Sequence, residues 1–342
     1  MAQSALEAVE QAVEQGQGSG PSRAHLGASI MDPDCPRKLW YIYRWASKTW
    51  HSARLLRLFA RGAREEWTFN DLLTKADITV WDVDPDTGQQ WRIEDHGGHF
   101  GGSLDGVLLG LPEAPEVPHV SEQKTHNQKS FKDLVKRGVV NSKPAHYNQM
   151  QLYMHYMALP AALYQAVNKN DDSLYYEIIQ YDQAHTELLV KLALDVITSD
   201  APLPRMSEDP SHYKCKWCDH SDQCHGTGAP QVSCRTCVFS TPEMDGDGRW
   251  SCGIWKKDLS FEDQKQACPK HLFIPPMLAP WAETLDGDND FVSYTNKING
   301  QPFVNGQGGY TSEEISSAGA LEFIGDPVID DLKENMGGRV VG

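Results

Sequence analysis

The sequence predicts an α/β protein with a cysteine-rich metal-binding module towards its C-terminus. Strand-like segments alternate with helical segments through roughly the first 200 residues, which is the pattern of an α/β chain. Seven of the eight cysteines follow this region, between residues 215 and 268. The length of 342 residues suits one large domain with appendages, or two domains.

The N-terminal third combines helices with short strands. Residues 1–15 are expected to form a short helix, and GQGSGPSR after them is typical of a flexible linker. A helical pattern runs from Cys35 to about Asn70. The segments ITVWDV, QQWRIE and FGGSLDGVLLG then predict three strands, separated by the turn sequences DPDTG and DHGG.

The middle of the chain continues the alternation. VSEQK predicts a fourth strand, KSFKDLVKRG a helix closed by Gly138, and AHYNQMQLYMHYMAL a longer helix. AALYQAV and SLYYEIIQY predict two further strands, and an amphipathic helix follows with Asp182 as its N-cap. The last 60 residues have weak patterns and predict a small appendage.

Charge argues both ways about nucleic acid. There are 31 basic and 47 acidic residues, a formal net charge of -16, and phosphate binding requires cations. The basic residues nevertheless cluster in two stretches, 37–64 and 124–143, so a basic groove is one interpretation and solvated helix faces are the other. Within these stretches we expect phosphate contacts from Arg37, Arg57, Arg61 and Lys132, and base stacking on Trp40 or Tyr43.

No apolar run approaches the roughly 18–20 residues of a membrane helix, and the acidic N-terminus lacks the apolar core of a secretion signal. We therefore expect a cytoplasmic protein without a membrane partner. In such a protein, clustered cysteines are typical of metal ligands rather than disulfides.

Two carboxylates and a lysine stand out in the predicted sheet. Glu122 and Lys124 are two residues apart in one strand and so share a face, and Asp105 joins them if its strand pairs with theirs. Such a set suits Mg²⁺ or Mn²⁺, which would activate a water for attack on a phosphate. The alternative is ordinary, because Asp-Gly marks turns and Glu-x-Lys is common on exposed strands.

In order and spacing, GGSLDGVLLG followed by SEQK resembles the PD-(D/E)XK nucleases. QMQLY, with Gln149 and Tyr153 one helical turn apart, resembles the Q-x-x-x-Y motif of the RecB-like branch, whose members contact the substrate strand there. In RGAREEW, Gly62 and Glu66 fit that branch's first-helix motif better than Glu65 does. The resemblance implies a restriction-endonuclease-like core, with a mixed sheet of about four or five strands flanked by helices.

Some members of this branch, among them CRISPR-associated exonucleases and AddB recombination nucleases, carry an iron–sulfur staple. CKWCDHSDQC has the same C-x2-C-x5-C spacing, and DPDCPRKLWY supplies one cysteine upstream. The resemblance therefore implies a [4Fe–4S] cluster on Cys35, Cys215, Cys218 and Cys224. Its role would be to tie distant chain segments together.

The remaining cysteines predict a zinc site. Cys234, Cys237, Cys252 and Cys268 form a second set of four, in which His271 is an alternative to Cys268. A rival partition places zinc-ribbon spacing, C-x2-C-x15-C-x2-C, on Cys215, Cys218, Cys234 and Cys237. We prefer the two-site partition because it uses every cysteine.

Together these features predict residues 1–27 as a flexible segment, 28–225 as the RecB-like domain with its staple, 226–280 as the zinc module and 281–342 as the appendage. The resemblance implies a Mg²⁺- or Mn²⁺-dependent DNA exonuclease, whose expected partners are DNA ends and a phage recombination or single-strand-binding protein. Asp105, Glu122, Glu66 and the Gln123 carbonyl would hold the metals, and Lys124 would position water. The alternatives are a non-catalytic DNA-binding or assembly factor and, behind it, a zinc-ribbon transcription factor.

Overall fold

A computed structural model describes residues 3–16, 23–48, 50–318 and 321–340, which contacts divide into two compact units. The described part of the first unit comprises residues 3–16, 25–33 and 50–194, and that of the second comprises residues 23–24, 34–48, 195–318 and 321–340. The second unit thus takes in the segment around Cys35 and residues 195–225, which the sequence grouped with the preceding domain. The expected linker lies mostly outside the described residues.

Helices and strands alternate as predicted. The helices are α1 Gln3–Gln15, α2 Pro36–Tyr43, α3 Ala53–Lys75, α4 Gln128–Ser142, α5 Pro144–Met157, α6 Gln183–Thr198, α7 Ser221–His225, α8 Phe261–Lys265, α9 Ser312–Ser317 and α10 Pro327–Met336. The strands are β1 Leu26–Gly27, β2 Thr79–Trp81, β3 Arg92–Asp95, β4 Phe100–Ser103, β5 Gly106–Leu109, β6 His119–His126, β7 Ala161–Asn168, β8 Leu174–Gln180, β9 Ser240–Pro242, β10 Trp250–Cys252, β11 Lys257–Leu259, β12 Ala282–Gly287, β13 Phe291–Asn296 and β14 Pro302–Gly306.

A five-stranded sheet in the order β2-β5-β6-β7-β8 forms the centre of the first unit. Strands β6 and β7 run parallel, and the other neighbouring pairs are antiparallel. All eight residues of β7 are buried, as expected of an inner strand covered on both faces. The mixed sheet with helices confirms the predicted α/β class.

The prediction of one strand over FGGSLDGVLLG is wrong, because the chain breaks there into two strands of different sheets. Strand β4 pairs with β1 and β3, whereas β5 pairs with β2 and β6. At the break, Gly106 has a φ of 155°, and a Cβ at this position would lie 3.0 Å from the carbonyl oxygen of Trp81. Asp105 therefore lies between the two strands, directly before the first residue of β5.

Local capping explains where the helices of the first unit begin. Ser52 and Asn127 accept backbone N–H bonds at the starts of α3 and α4, and Asp182 caps α6 by accepting from the His185 N–H at 3.0 Å, as predicted. Helix α4 does not end at Gly138. The chain kinks there, with a φ of 69°, and then completes another turn because the Glu177 carboxylate accepts the Val139 N–H at 2.8 Å.

The second unit contains two small antiparallel sheets, β11-β10-β9 and β12-β13-β14. The weakly predicted tail forms the second of these, with a core in which the Phe303 ring stacks between those of Trp281 and Tyr294. The buried Arg235 guanidinium lies 3.8 Å from the centre of the Trp45 ring and donates to the Tyr43 carbonyl. Across the described ranges, none of the helices combines the length and hydropathy needed to traverse a bilayer.

Candidate functional site

Asp105 and strand β6 meet at one end of the central sheet. The Asp105 carboxylate accepts the backbone N–H of Gln123 at 2.8 Å, which fixes it beside the middle of β6. The Gln123 side chain donates to Asn70 of α3 at 2.7 Å and so joins this helix to the same strand. Strand, loop and helix therefore converge on one place, and the resemblance implied the same through Glu66, Asp105 and Glu122.

Glu122 is fully buried, and its main compensation is one ammonium group. Lys124, one step along the same face of β6, forms an ion pair with Glu122. Apart from this ammonium, no group among the described residues donates a hydrogen bond to either Glu122 oxygen. Burial raises the pKa of Glu122 to about 7 against the opposing charge of Lys124. A buried carboxylate with free lone pairs is suited to a cation.

Glu66 brings a third carboxylate to the centre. Burial and then the charge of Asp105 raise the pKa of Glu66, and Glu66 in turn contributes to the raised pKa of Glu122. Burial lowers the pKa of Lys124, but the three carboxylates outweigh it and the net direction is upward. Lys124 therefore stays an ammonium, and the carboxylates repel one another in a way that a divalent cation would relieve.

The carboxylates do not already form a closed cage. In the part of the chain that the structure describes, no three His, Cys, Asp or Glu side chains stand where they would together hold a metal ion. The ammonium of Lys124 lies against Glu122 instead. The donor chemistry nevertheless fits Mg²⁺ or Mn²⁺, since these ions take carboxylate and carbonyl oxygens and keep several waters.

Gln149 and Tyr153 lie beside this centre but are buried. Gln149 donates to the Tyr153 hydroxyl at 3.1 Å, and Tyr153 donates to the Ser103 carbonyl at 2.7 Å. Gly102 makes this possible, because a Cβ there would lie 2.9 Å from the Tyr153 ring. The pair therefore connects α5 to the end of β4, two residues before Asp105. Their predicted contact with a substrate strand stays a prediction.

A buried histidine–tyrosine network was missed by the sequence analysis. His126 of β6 and His146 of α5 each lie 2.8 Å from the Tyr164 hydroxyl, and the three rings are stacked. Burial lowers the pKa of His126 to about 4 and that of His146 to about 3. The spacing of His126, two residues after Lys124 on the same face, was the one available signal.

The four cysteines assigned to the cluster line one pocket of the second unit. Cys35, Cys215, Cys218 and Cys224 face it together with Arg37 and Lys38. All four are free thiols. Burial is the main cause that raises the pKa of Cys215, and the neighbouring Cys35 raises it further. The thiols share this pocket, but within the described residues no three Cys, His, Asp or Glu side chains stand where they would together hold one metal ion, and this applies to both cysteine sets.

Cys234, Cys237, Cys252 and Cys268 line a second pocket. Burial and the neighbouring thiols raise the pKa of Cys234 to about 12, and Cys268 accepts the Trp255 indole N–H at 3.4 Å. His271 also faces this pocket. Its Nε2 lies 3.0 Å from the Ser233 carbonyl oxygen, while its buried Nδ1 has no hydrogen-bond partner among the described residues. Both Cys268 and His271 thus remain candidates for the fourth ligand.

The predicted nucleic-acid contacts divide by burial. Lys132 and Arg57 are exposed, Arg57 within 3.8 Å of Glu10, and Arg61 lies 3.8 Å from Glu65. Arg37 is partly buried and donates to the Leu203 carbonyl. The expectation that Trp40 or Tyr43 stacks on bases is wrong, because both are buried in the second unit, where Trp40 donates to the Ser199 carbonyl.

No protein-family model matches the chain, and no curated protein matches it. Similar solved structures include SSO0001, at 15% identity and a TM-score of 0.38 over 64% of this chain and 95% of that one. They also include an alkaline exonuclease, LHK-Exo, from Laribacter hongkongensis, at 16% identity and a TM-score of 0.37 over 56% and 90%. The same exonuclease in complex with dAMP has 16% identity and a TM-score of 0.34, over 56% of this chain and 90% of that one. Likeness this low assigns neither family nor activity.

Proposed function

We propose that the chain is a metal-dependent deoxyribonuclease of the PD-(D/E)XK superfamily that hydrolyses phosphodiester bonds. The observation that carries this proposal is Glu122, a fully buried carboxylate compensated by Lys124 and flanked by Asp105 and Glu66. A purely structural ion pair would not need two further carboxylates, which raise the pKa of Glu122. The exonuclease mode, the RecB-like branch and a role in phage recombination, replication or end processing rest on the sequence resemblance alone.

In this proposal Asp105, Glu122, Glu66 and the Gln123 carbonyl hold Mg²⁺ or Mn²⁺, which would polarise the phosphate and acidify a water. Lys124 remains protonated and so donates hydrogen bonds; it orients the attacking water and faces the charge that develops on the phosphate. Gln149 and Tyr153 position the loop that carries Asp105 through the Ser103 carbonyl.

We further propose that the second unit carries a [4Fe–4S] cluster on Cys35, Cys215, Cys218 and Cys224, and zinc on the other four cysteines. The convergence of each set on one pocket supports this. The cluster would close a loop from residue 35 to residue 215 and limit the entropy of the unfolded chain. Neither group takes part in hydrolysis in this proposal.

The experiment is cleavage of end-labelled single- and double-stranded DNA by anaerobically purified protein with Mg²⁺ or Mn²⁺. Glu122→Gln and Lys124→Ala should each lower the rate by at least about 10²-fold, because each removes a group aimed at the reacting phosphate. Glu94→Gln, on an exposed position of β3, is the matched control and should cleave normally. Metal-dependent cleavage that persists in both variants would refute the assignment. DNA binding without cleavage by the wild type would favour a binding factor.

A further inference from the structure

One face of helix α3 changes its surroundings along its length. Phe59, Gly62, Glu66, Asn70 and Leu73 follow one another at spacings of three and four residues and so share this face. Towards the C-terminal end the face is covered: Leu73 is buried and Asn70 accepts from Gln123. Towards the N-terminal end it is open, with the Phe59 side chain 52% exposed. The carboxylate of Glu66 lies at the boundary between the two halves.

Gly62 is not required by the fold. It lies inside a continuous helix, and it is not among the glycines with positive φ. A Cβ at this position would meet no described atom within 4 Å. Glycine is, after proline, the least favourable residue in a helix interior. Neither the backbone nor a described neighbour needs a glycine here, and the missing side chain leaves an open helix surface that a ligand can approach closely.

Positive charge borders the open half of the helix. Lys169 donates its backbone N–H to the His126 carbonyl at 2.8 Å, at the end of β6 beyond Lys124. Burial lowers the pKa of Lys169, and the charges of Arg61 and Arg54 on α3 lower it further. Arg61 also lies 3.8 Å from Glu65, but both arginines act on Lys169, and positive potential at this place is complementary to a polyanion.

We propose that a nucleic-acid strand crosses α3 at Gly62 on its way to Glu66. Its sugar–phosphate backbone contacts the glycine, and a base lies against the ring of Phe59, which the His51 ring supports edge-on with 5.4 Å between centroids. This inference rests on the proposed nuclease function and adds the path of the substrate. Gly62 acts here as a positioning residue that admits the strand, and Phe59 as a binding residue.

The test is a size series at Gly62 in the full-length protein, with a matched control on the opposite face of α3. Gly62→Ala and Gly62→Leu add bulk to the open face, and Ala60→Leu adds it at an exposed position about half a turn away. Three quantities are compared: the melting temperature, the Kd for a fluorescein-labelled single-stranded oligonucleotide with Ca²⁺ in place of Mg²⁺, and KM and kcat with Mg²⁺.

Gly62→Ala should raise the melting temperature by about 2–4 °C, because alanine favours the helix. The same variant should raise Kd and KM at least about fivefold, and Gly62→Leu should raise them further. A more stable Gly62→Ala protein with unchanged Kd and KM would overturn the inference while leaving the nuclease intact, and so would an equal effect of Ala60→Leu. A wild type that neither binds nor cleaves the oligonucleotide would overturn both proposals.

Discussion

The carboxylate centre of the first unit and the cysteine sets of the second both gather groups of one kind, but they compensate them differently. Burial raises the pKa of Glu122 to about 7, and its carboxylate pairs with the Lys124 ammonium, so the negative charge there is already compensated. The two cysteine sets differ in this respect: Arg37 and Lys38 lie beside Cys224 and Cys218, whereas no cation offsets the rise in the pKa of Cys234 and Cys237. Burial raises the pKa of Cys234 to about 12 and that of Cys237 to about 11, so in the proposed zinc site these thiols would give up their protons only on binding the metal.

This difference is consistent with the proposal that the first unit is catalytic and that the cysteine sets of the second unit are structural. A centre that binds its cation reversibly suits catalysis, in which substrate and metal ligands must rearrange. Sites that bind a metal tightly suit structural roles, because their binding free energy becomes folding free energy. We therefore expect loss of a proposed ligand in the first unit to lower activity, and loss of a proposed ligand in the second unit to lower stability.

Loss of a cysteine ligand should produce the largest effect on stability. Structural zinc sites contribute on the order of 10 kcal/mol in small peptides, so losing one ligand should destabilise the second unit by several kcal/mol. We expect Cys35→Ser to lose iron and keep zinc, and Cys268→Ser to lose zinc and keep iron. Elemental analysis of anaerobically purified protein, with thermal denaturation, measures both. If both variants keep all metal, the rival zinc ribbon on Cys215, Cys218, Cys234 and Cys237 replaces the two-site partition.

The sequence was informative where the signal is local. The C-x2-C pairs and the Asp182 cap depend on neighbours within a helical turn, and the structure places the cysteines of each pair in one pocket. Glu122 and Lys124 share a strand face for the same local reason. These features need no knowledge of how distant elements pack.

Features that depend on tertiary packing were missed or misplaced. Trp40 or Tyr43 was expected to stack on bases, yet both are buried. The break at Asp105 requires the close approach of the Trp81 carbonyl to Gly106, which lies more than 20 residues away in sequence. The network of His126, His146 and Tyr164 unites three elements, and no local pattern brings them together.

We expect an effect of intermediate size from substituting Tyr153. The substitution distinguishes two roles of this residue, positioning the loop that carries Asp105 and contacting the substrate strand. Tyr153→Phe removes the hydroxyl that donates to the partly buried Ser103 carbonyl and should destabilise the first unit by about 1–3 kcal/mol. The loop with Asp105 would loosen, so kcat should fall while the Kd for oligonucleotide changes little. Kinetics and urea denaturation measure the two effects. Tyr176→Phe, a partly exposed control on β8, should change neither, and a rise in Kd alone at Tyr153 would restore the strand-contact role.

The smallest expected effect is a change in the pH dependence of the first unit's stability. Burial lowers the pKa of His146 to about 3, whereas in the unfolded chain it titrates near 6.5. Between these values the unfolded state binds the extra proton, so stability is fully present above about pH 6.5 and declines as the pH falls, by at most about 1.4 kcal/mol per pH unit.

His146→Gln removes this titration, and its free energy of unfolding should therefore fall less steeply than that of the wild type between pH 6.5 and 4.5. Urea denaturation across that range, read by a probe of the first unit, gives both slopes. Identical slopes for wild type and His146→Gln would mean that His146 takes up its proton in the folded state, and that its bond to Tyr164 does not keep it neutral.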